Sequence, residues 1–351
     1  MNNNICLLTD THFGFENNSE QLLESSFKFF NEVLVPFLKK NEIDKIFMLG
    51  DVFDSRTSVN TRIQNAVYDL FDVILKDFTV YVLVGNHDIY YNSTTEVHSL
   101  KFLRKFENVN LIEKPELVCG DKILMIPWVV DDSEIAGILD GKNAKVLMGH
   151  FDIAGFGLNK YISSKNGINP DLFINKFKTI FSGHFHTRSV RDIGDSKFIY
   201  VGTPYQLTRA DIDEERGFLI YNLRSHKHKF FSNNVSTKFV ALNYPDDFSQ
   251  EMIENNKIDV NIMYDHETYS PEEYTKYIED IEKYNPIKIT PFYIDTTELE
   301  SELDIKNQKI NISSIPDLIK GYVEALGLSE HDKEEIYNIL VRLYDKANNN
   351  N

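Results

Sequence analysis

The chain has 351 residues, with 37 Lys and Arg against 54 Asp and Glu for a net charge of −17, and is 42% hydrophobic and 13% aromatic. So much apolar surface excludes a disordered chain, and two cysteines, Cys6 and Cys119, can build neither a disulfide framework nor a thiolate zinc site, which points to a reducing compartment. The acidity does not exclude a polyanionic substrate, because residues 241–351 carry 10 basic and 24 acidic residues, whereas residues 1–240 carry 27 and 30.

Met1 is followed by Asn2, Asn3, Asn4 and a short apolar run from Ile5 to Leu8, which does not read as a signal peptide. No uncharged apolar stretch reaches the roughly 18 residues needed to cross a bilayer, so a soluble protein without membrane association is expected. Short apolar or β-branched runs predict strands at 5–9, 45–49, 79–84, 122–126, 145–148 and 179–181. Between them, residues 20–40 and 60–76 carry apolar side chains at helical spacing, as in Ile63, Val67, Leu70, Phe71 and Ile74. From Ser189 to about Val240 the pattern is strand-like, with segments at 198–201, 217–221 and 229–231.

The expected fold is α/β, a layered β-sandwich flanked by helices, and the first domain is expected over residues 1–242. Asn, Pro and Asp cluster at 243–249 and suggest a boundary. Beyond it, a strand at 257–264, a helix at 270–284 opened by a Ser-Pro cap and a strand at 287–294 predict a small α/β capping domain over 243–295. An acidic linker is expected at 296–312. Two amphipathic helices are expected within 313–351, one with Ile315, Leu318, Ile319, Val323 and Leu326 on one stripe, the other with Ile336, Ile339, Leu340 and Leu343. Those stripes could pack on each other or form a groove for a partner's helix.

Five segments place metal-ligand side chains directly after predicted strands: Asp10-Thr11-His12, Gly50-Asp51-Val52-Phe53-Asp54, Gly85-Asn86-His87-Asp88, Gly149-His150 and Gly183-His184-Phe185-His186. Half of the ten histidines lie in them. Strand carboxyl ends converge on one edge of an open layered sheet, so residues scattered along the chain can meet there. Taken singly, each segment could be an ordinary turn or helix cap. All five together, in order and each at a strand end, argue for one cluster. Carboxylates, imidazoles and one amide oxygen suit manganese, iron or zinc better than calcium. Asp10, His12, Asp51 and His186 would hold one ion, and Asp51, Asn86, His150 and His184 a second, with Asp51 bridging. A shared carboxylate would set the ions roughly 3.5–4 Å apart, the spacing used to clamp a phosphoryl group.

The order D-x-H, GD-x-x-D, GNHD, GH, GHxH resembles the calcineurin-like metallophosphoesterase superfamily. Gly50-Asp51-Val52-Phe53-Asp54, Ile126-Pro127-Trp128 and Gly202-Thr203-Pro204-Tyr205 narrow the resemblance to the SbcD-type recombination nucleases, particularly those of tailed phages. The resemblance implies a DNA nuclease, 3′ to 5′ exonucleolytic and endonucleolytic on single strands, acting at double-strand breaks in recombination and repair with two divalent ions, manganese foremost. It further implies an SbcC-type coiled-coil ABC ATPase partner bound by the C-terminal helices, a homodimer within a heterotetramer, and a cytoplasmic location, the host cytoplasm if phage-encoded. His87 would be the general acid for the departing 3′ oxygen, oriented by Asp88; its place beside Asn86 and the chemistry of imidazole agree with that role, the alternative being that it completes a turn or binds metal directly.

A His stands at the position of Asp54 in archaeal and eukaryotic members, so Asp54 is expected to orient a ligand instead. Arg56, Arg62, Lys160, Lys165, Arg188, Arg191 and Arg209 flank the motifs as candidate phosphate contacts, with Arg56, Lys165 and Arg188 foremost and a solvated surface charge as the alternative for each. Tyr90, Tyr91 and Tyr205 are candidates for stacking on bases, with core packing as the alternative for each. Two other functions remain open from the residues: a phosphodiesterase or phosphatase acting on a small or protein substrate, against which Ser55-Arg56-Thr57 lacks the Arg-Gly of protein phosphatases, and a non-catalytic scaffold, against which every ligand position is filled.

Overall fold

The computed structural model describes residues 3–157, 164, 167–264, 270–295, 323, 333, 336 and 337. Its strands in chain order are β1 (Asn4–Leu8), β2 (Lys45–Met48), β3 (Thr79–Leu83), β4 (Val109–Ile112), β5 (Glu116–Val118), β6 (Ile123–Ile126), β7 (Val146–His150), β8 (Thr179–Gly183), β9 (Ser189–Ile193), β10 (Ser196–Tyr200), β11 (Gly217–Asn222), β12 (His228–Ser232), β13 (Phe239–Tyr244), β14 (Lys257–Tyr264) and β15 (Lys288–Asp295). One sheet has the order β12-β11-β1-β2-β3-β4 and a second β5-β6-β7-β8-β10-β9. β1 through β4 run parallel, as do β6, β7 and β8, so their carboxyl ends share an edge in each sheet.

The strands are apolar on both faces, and this makes the layers. Ile5, Leu7, Phe47 and Leu83 meet Met125, Met148, Phe181 and Ile199 in the core between the two sheets. The alternate residues Cys6, Leu8, Ile46, Met48, Val80 and Val82 face Leu22, Phe29, Phe30, Val67 and Phe71 of the helices. On the outer face of the second sheet, Leu124, Leu147 and Ile180 pack under Phe151, Phe156 and Phe173. A strand of period two sends successive side chains to opposite faces, so strands with no polar face must be covered on both sides. The result is the expected α/β sandwich flanked by helices.

The two long helical patterns appear where the spacing places them, each with a wider π-helical stretch. Glu20–Lys28 continues through Phe29–Leu34 into Val35–Lys40, and Thr61–Asp69 continues into Leu70–Ile74. The Ser19 side chain accepts the Leu22 N–H and Asn60 that of Arg62, which satisfies backbone donors otherwise orphaned at a helix start.

The third sheet has the order β13-β14-β15, with helix Pro271–Glu282 capped by the Ser270 side chain. β13 pairs in parallel with β14 from Phe239 onward, so the expected cut between residues 242 and 243 falls inside a strand. Two ion pairs tie β14 to the rest of its compact unit: Lys257 to Glu16 at 2.7 Å and Asp259 to Arg209 at 2.7 Å. That unit comprises Met1–Ile262 and Ser270–Phe292; a second comprises Met263–Tyr269 and Tyr293–Asn351. The acidic linker and most of both terminal helices lie outside the described residues; Val323, Lys333, Ile336 and Tyr337 are helical. No helix among the described residues is long and apolar enough to cross a membrane.

Candidate metal centre

The five segments come together at the carboxyl edges of the two facing sheets. Asp10 and His12 follow β1, Asp51 follows β2 and Asn86 follows β3, while His150 ends β7 and His184 and His186 follow β8. Beyond the strands, the loops after β1 and β2 stay side by side, with Asp10 N–H on the Gly50 carbonyl (3.1 Å), His12 N–H on that of Asp51 (3.1 Å) and Phe13 N–H on that of Val52 (2.8 Å). Two glycines make this proximity possible. Gly50 has φ +100°, and a Cβ there would strike the His150 ring; a Cβ on Gly85 would overlap the Asp51 carboxylate and amide. Asp10, His12, Asp51 and His184 themselves adopt left-handed backbones, with φ of 50°, 42°, 52° and 84°. L-residues hold that conformation only where the surroundings impose it, and such strain gathers at functional sites.

Around one point, His12 Nε2 lies 3.1 Å from His186 Nε2, 3.7 Å from Asp51 Oδ2 and 3.9 Å from Asp10 Oδ1. Around a second, His150 Nε2 lies 3.2 Å from Asp51 Oδ2 and 2.9 Å from Asn86 Oδ1, and the same amide oxygen is 2.9 Å from His184 Nδ1. Asp51 Oδ2 faces both groups, the place of a bridging ligand. Trp128 packs against the His150 and His184 rings, at 6.0 and 5.2 Å between centroids.

Burial and close charges set the protonation of this donor set. His150 Nδ1 meets the Leu49 carbonyl at 2.7 Å, and its Nε2 faces the Asp51 and Asn86 oxygens, with Asp10 Oδ1 at 4.0 Å. Burial opposes a charge on this ring, but Asp51 outweighs it and pushes His150 up to about 9, so a cation taking Nε2 would displace a proton there. Burial likewise raises the Asp51 carboxyl, and the adjacent His150 and His12 outweigh that and hold it low. Asp10 is pushed up, by burial first. His184 is pushed down to about 3 by burial and then by the His150 charge, and His186 is pushed down by burial and then by His12. Buried carboxylate, amide and imidazole groups converging on two points, with no thiolate among them, fit divalent cations of the manganese, iron or zinc kind. Such ions would be held by Asp10, His12, Asp51 and His186 and by Asp51, Asn86, His150 and His184.

His87 is half-buried at the rim, its ring 4.8 Å from that of His12. Its backbone N–H donates to Asp51 Oδ1 (2.8 Å), and its Nδ1 lies 2.6 Å from the Asp54 carbonyl oxygen. Nδ1–H therefore donates to that oxygen, and Nε2 is the atom left to exchange a proton with a ligand.

Asp88 does not orient His87 as the sequence suggested. Its carboxylate is buried on backbone, accepting the N–H groups of Val52 (3.0 Å), Phe53 (3.2 Å) and Gly85 (2.9 Å), and so clasps the loops that carry Asp51 and Asn86. Asp54 Oδ1 lies 3.3 Å from His12 Nδ1.

The substrate candidates divide. Tyr205, 2% exposed, packs on Phe15 and Phe29 with its hydroxyl donating to the Thr11 carbonyl at 2.6 Å, so it supports the Asp-Thr-His loop and is no stacking surface. Arg188 lies over the Phe230 ring and Arg191 over that of Phe156; Arg62 pairs with Glu20, Arg209 with Asp259, and Arg56 donates to Asn92. Lys160 and Lys165 lie outside the described residues. Tyr90 and Tyr91, 46% and 50% exposed, meet edge to face just past Gly85-Asn86-His87-Asp88. Sequence reasoning missed Thr9, whose hydroxyl donates to Asp10 Oδ2 at 2.6 Å, and the Leu49 carbonyl that sets the His150 ring. Thr9 was legible as the polar end of a predicted strand; the Leu49 contact had no local signal.

The calcineurin-like phosphoesterase family matches residues 4–188, from β1 through the last of these segments. Exonuclease subunit 1 of Enterobacteria phage T4 is 26% identical over 322 residues, which span 89% of this chain and 90% of that protein. The DNA double-strand break repair protein Mre11 of Sulfurisphaera tokodaii is 22% identical over 362 residues, 95% and 92% of the two chains. Mre11 of Methanococcus maripaludis is 23% identical over 360 residues, 94% and 88%. With the family match covering more than half of its length, the chain belongs to the calcineurin-like phosphoesterase family.

Proposed function

We propose that the protein is a phosphodiester hydrolase acting on DNA, a manganese-dependent nuclease that processes double-strand breaks as a 3′ to 5′ exonuclease and single-strand endonuclease. The observation that carries this reading is the meeting of Asp10, His12, Asp51, Asn86, His150, His184 and His186 around two points that share Asp51 Oδ2. Likeness over nearly the whole chain to a phage exonuclease subunit and to break-repair proteins supports DNA as the substrate. Two divalent ions bound there would neutralise a scissile phosphate and make a water more acidic. The chain's own residues do the rest. The carboxylates and imidazoles fix where the phosphate sits, and the Asp51–His87 and Asp54–His87 contacts hold the His87 ring at the rim. From there Nε2 of the imidazolium donates a proton to the departing 3′ oxygen. The apolar stripes expected in the terminal helices support an SbcC-type ATPase as partner, with a homodimer at the centre of the complex. Residues 239–295, including β13, would act as the capping domain.

The test is cleavage of a 3′-labelled duplex and a single strand in manganese, with cyclic nucleotides as competing substrates, for the wild type and for Asn86→Ala and His87→Ser. Loss of bound metal and of activity in Asn86→Ala, with metal retained and DNA cleavage slowed in His87→Ser, supports the assignment. Preferential hydrolysis of cyclic nucleotides, or equal metal loss in both variants, overturns it.

A further inference from the structure

His186 is far in sequence from the other groups at the first of the two points, Asp10, His12 and Asp51, and what holds it there is a buried ion pair well outside the motifs. Arg216, whose side chain is 3% exposed, donates from Nη1 to the His186 carbonyl oxygen and from Nη2 to Asp211 Oδ1 at 2.6 Å. Asp211 is itself immobilised: its Oδ2 accepts the N–H groups of Leu207 (2.8 Å) and Thr208 (3.0 Å). The same His186 carbonyl accepts the Thr203 N–H at 3.1 Å, and the Gly202 backbone is so close that a Cβ there would lie 2.9 Å from that oxygen. The backbone of His186 is thus gripped from two sides, and one grip is a charge-assisted hydrogen bond from a fixed guanidinium.

Burying a guanidinium and a carboxylate costs desolvation that their attraction only roughly offsets, so a packed apolar pair would serve stability as well. What an apolar pair cannot do is hold a carbonyl in place. The His186 ring hangs from that backbone, and its Nε2 must stay on the point shared with His12, Asp10 and Asp51. We infer that Arg216, braced by Asp211, is a positioning residue for the first cation point, setting its affinity through the backbone of His186 while leaving the His150/His184 point unaffected. This rests on His186 being a metal ligand, as proposed above.

The experiment is calorimetric titration of manganese into metal-free, full-length protein, wild type against Arg216→Met, Arg216→Lys and Asp211→Asn, with thermal melting of each in chelator. Partners of ligating groups typically set affinity by roughly 10- to 100-fold, so Arg216→Met is expected to weaken one of the two binding events by about that factor and leave the other unchanged. Lysine keeps the charge but not the fork and should restore part of the loss. If Arg216→Met does not fold, Arg216→Lys and Asp211→Asn are read the same way, each with a weakened first event and an intact second. Wild-type affinity at both points in the folded variants, whatever their melting temperatures, overturns the inference and makes the pair a structural one. A wild type that binds manganese at fewer than two points overturns the parent reading instead, and this inference with it.

Discussion

Asp88→Ala separates a clasp from a helper of His87. In the folded protein the Asp88 carboxylate takes three buried backbone donors, two from the loop behind Asp51 and one from Gly85. Alanine leaves all three unpaired. An orphaned buried donor costs about 1–3 kcal/mol, which sums to about 3–9 kcal/mol. Water entering the space left by the carboxylate can satisfy some of them, so the expected loss is near the lower end, about 3 kcal/mol. Asp54→Ala is the control: its side chain is 42% exposed and approaches only the edge of His12, so its effect should stay within about 0.5 kcal/mol. The assay is urea unfolding of metal-free protein, followed by circular dichroism and by fluorescence of Trp128, the single tryptophan, which abuts the His150 and His184 rings. Coincident transitions license the comparison. Should Asp88→Ala unfold within about 1 kcal/mol of Asp54→Ala, the clasp is refuted; a variant of undiminished stability that only cleaves more slowly would return Asp88 to the role its sequence position suggests.

Three further outcomes follow from the geometry. Gly85→Ala drives a methyl group into the Asp51 carboxylate and should cut cleavage by about 100-fold, measured as initial rates in manganese; a loss below tenfold would show that the bridge tolerates displacement. Stripping metal with chelator should abolish hydrolysis, and restoring manganese to 100 times its dissociation constant should raise the unfolding free energy by about 2.7 kcal/mol for a single bound ion, so denaturation curves indifferent to manganese would contradict the metal centre. Tyr91→Ala removes one of the two exposed rings beside the site and should weaken single-stranded DNA binding by about 1–3 kcal/mol in fluorescence anisotropy, whereas Tyr205→Phe, in the core, should leave binding unchanged.

Much of the fold was legible because strand formation and metal-ligand chemistry are both local. The runs at β1, β2, β3, β7 and β8 have apolar centres, at 5–8, 46–48, 80–83, 146–148 and 180–181, which are readable without knowing the partners, and the turns that follow carry Gly, Asp, Asn and His because a sharp backbone and a ligand side chain are needed at once. The helix start at Ser270 was readable for the same reason, since a cap acts within three residues.

Other features depended on neighbours distant in sequence. β13 has the same composition as the strands before it, and only its pairing with β14 assigns it to the third sheet. Asp88 follows His87 directly, yet successive side chains of a tight turn point apart, and its carboxylate meets amides of the preceding motif. Tyr205 reads as a rim aromatic until the Phe15 and Phe29 rings enclose it. Arg216 gives no local sign that it grips His186. Backbone preference and periodicity are properties of a few consecutive residues, so the sequence by itself determined the elements and the donor groups. Which of those groups meet is set by strand order and by how two sheets pack, and only the tertiary structure decided that.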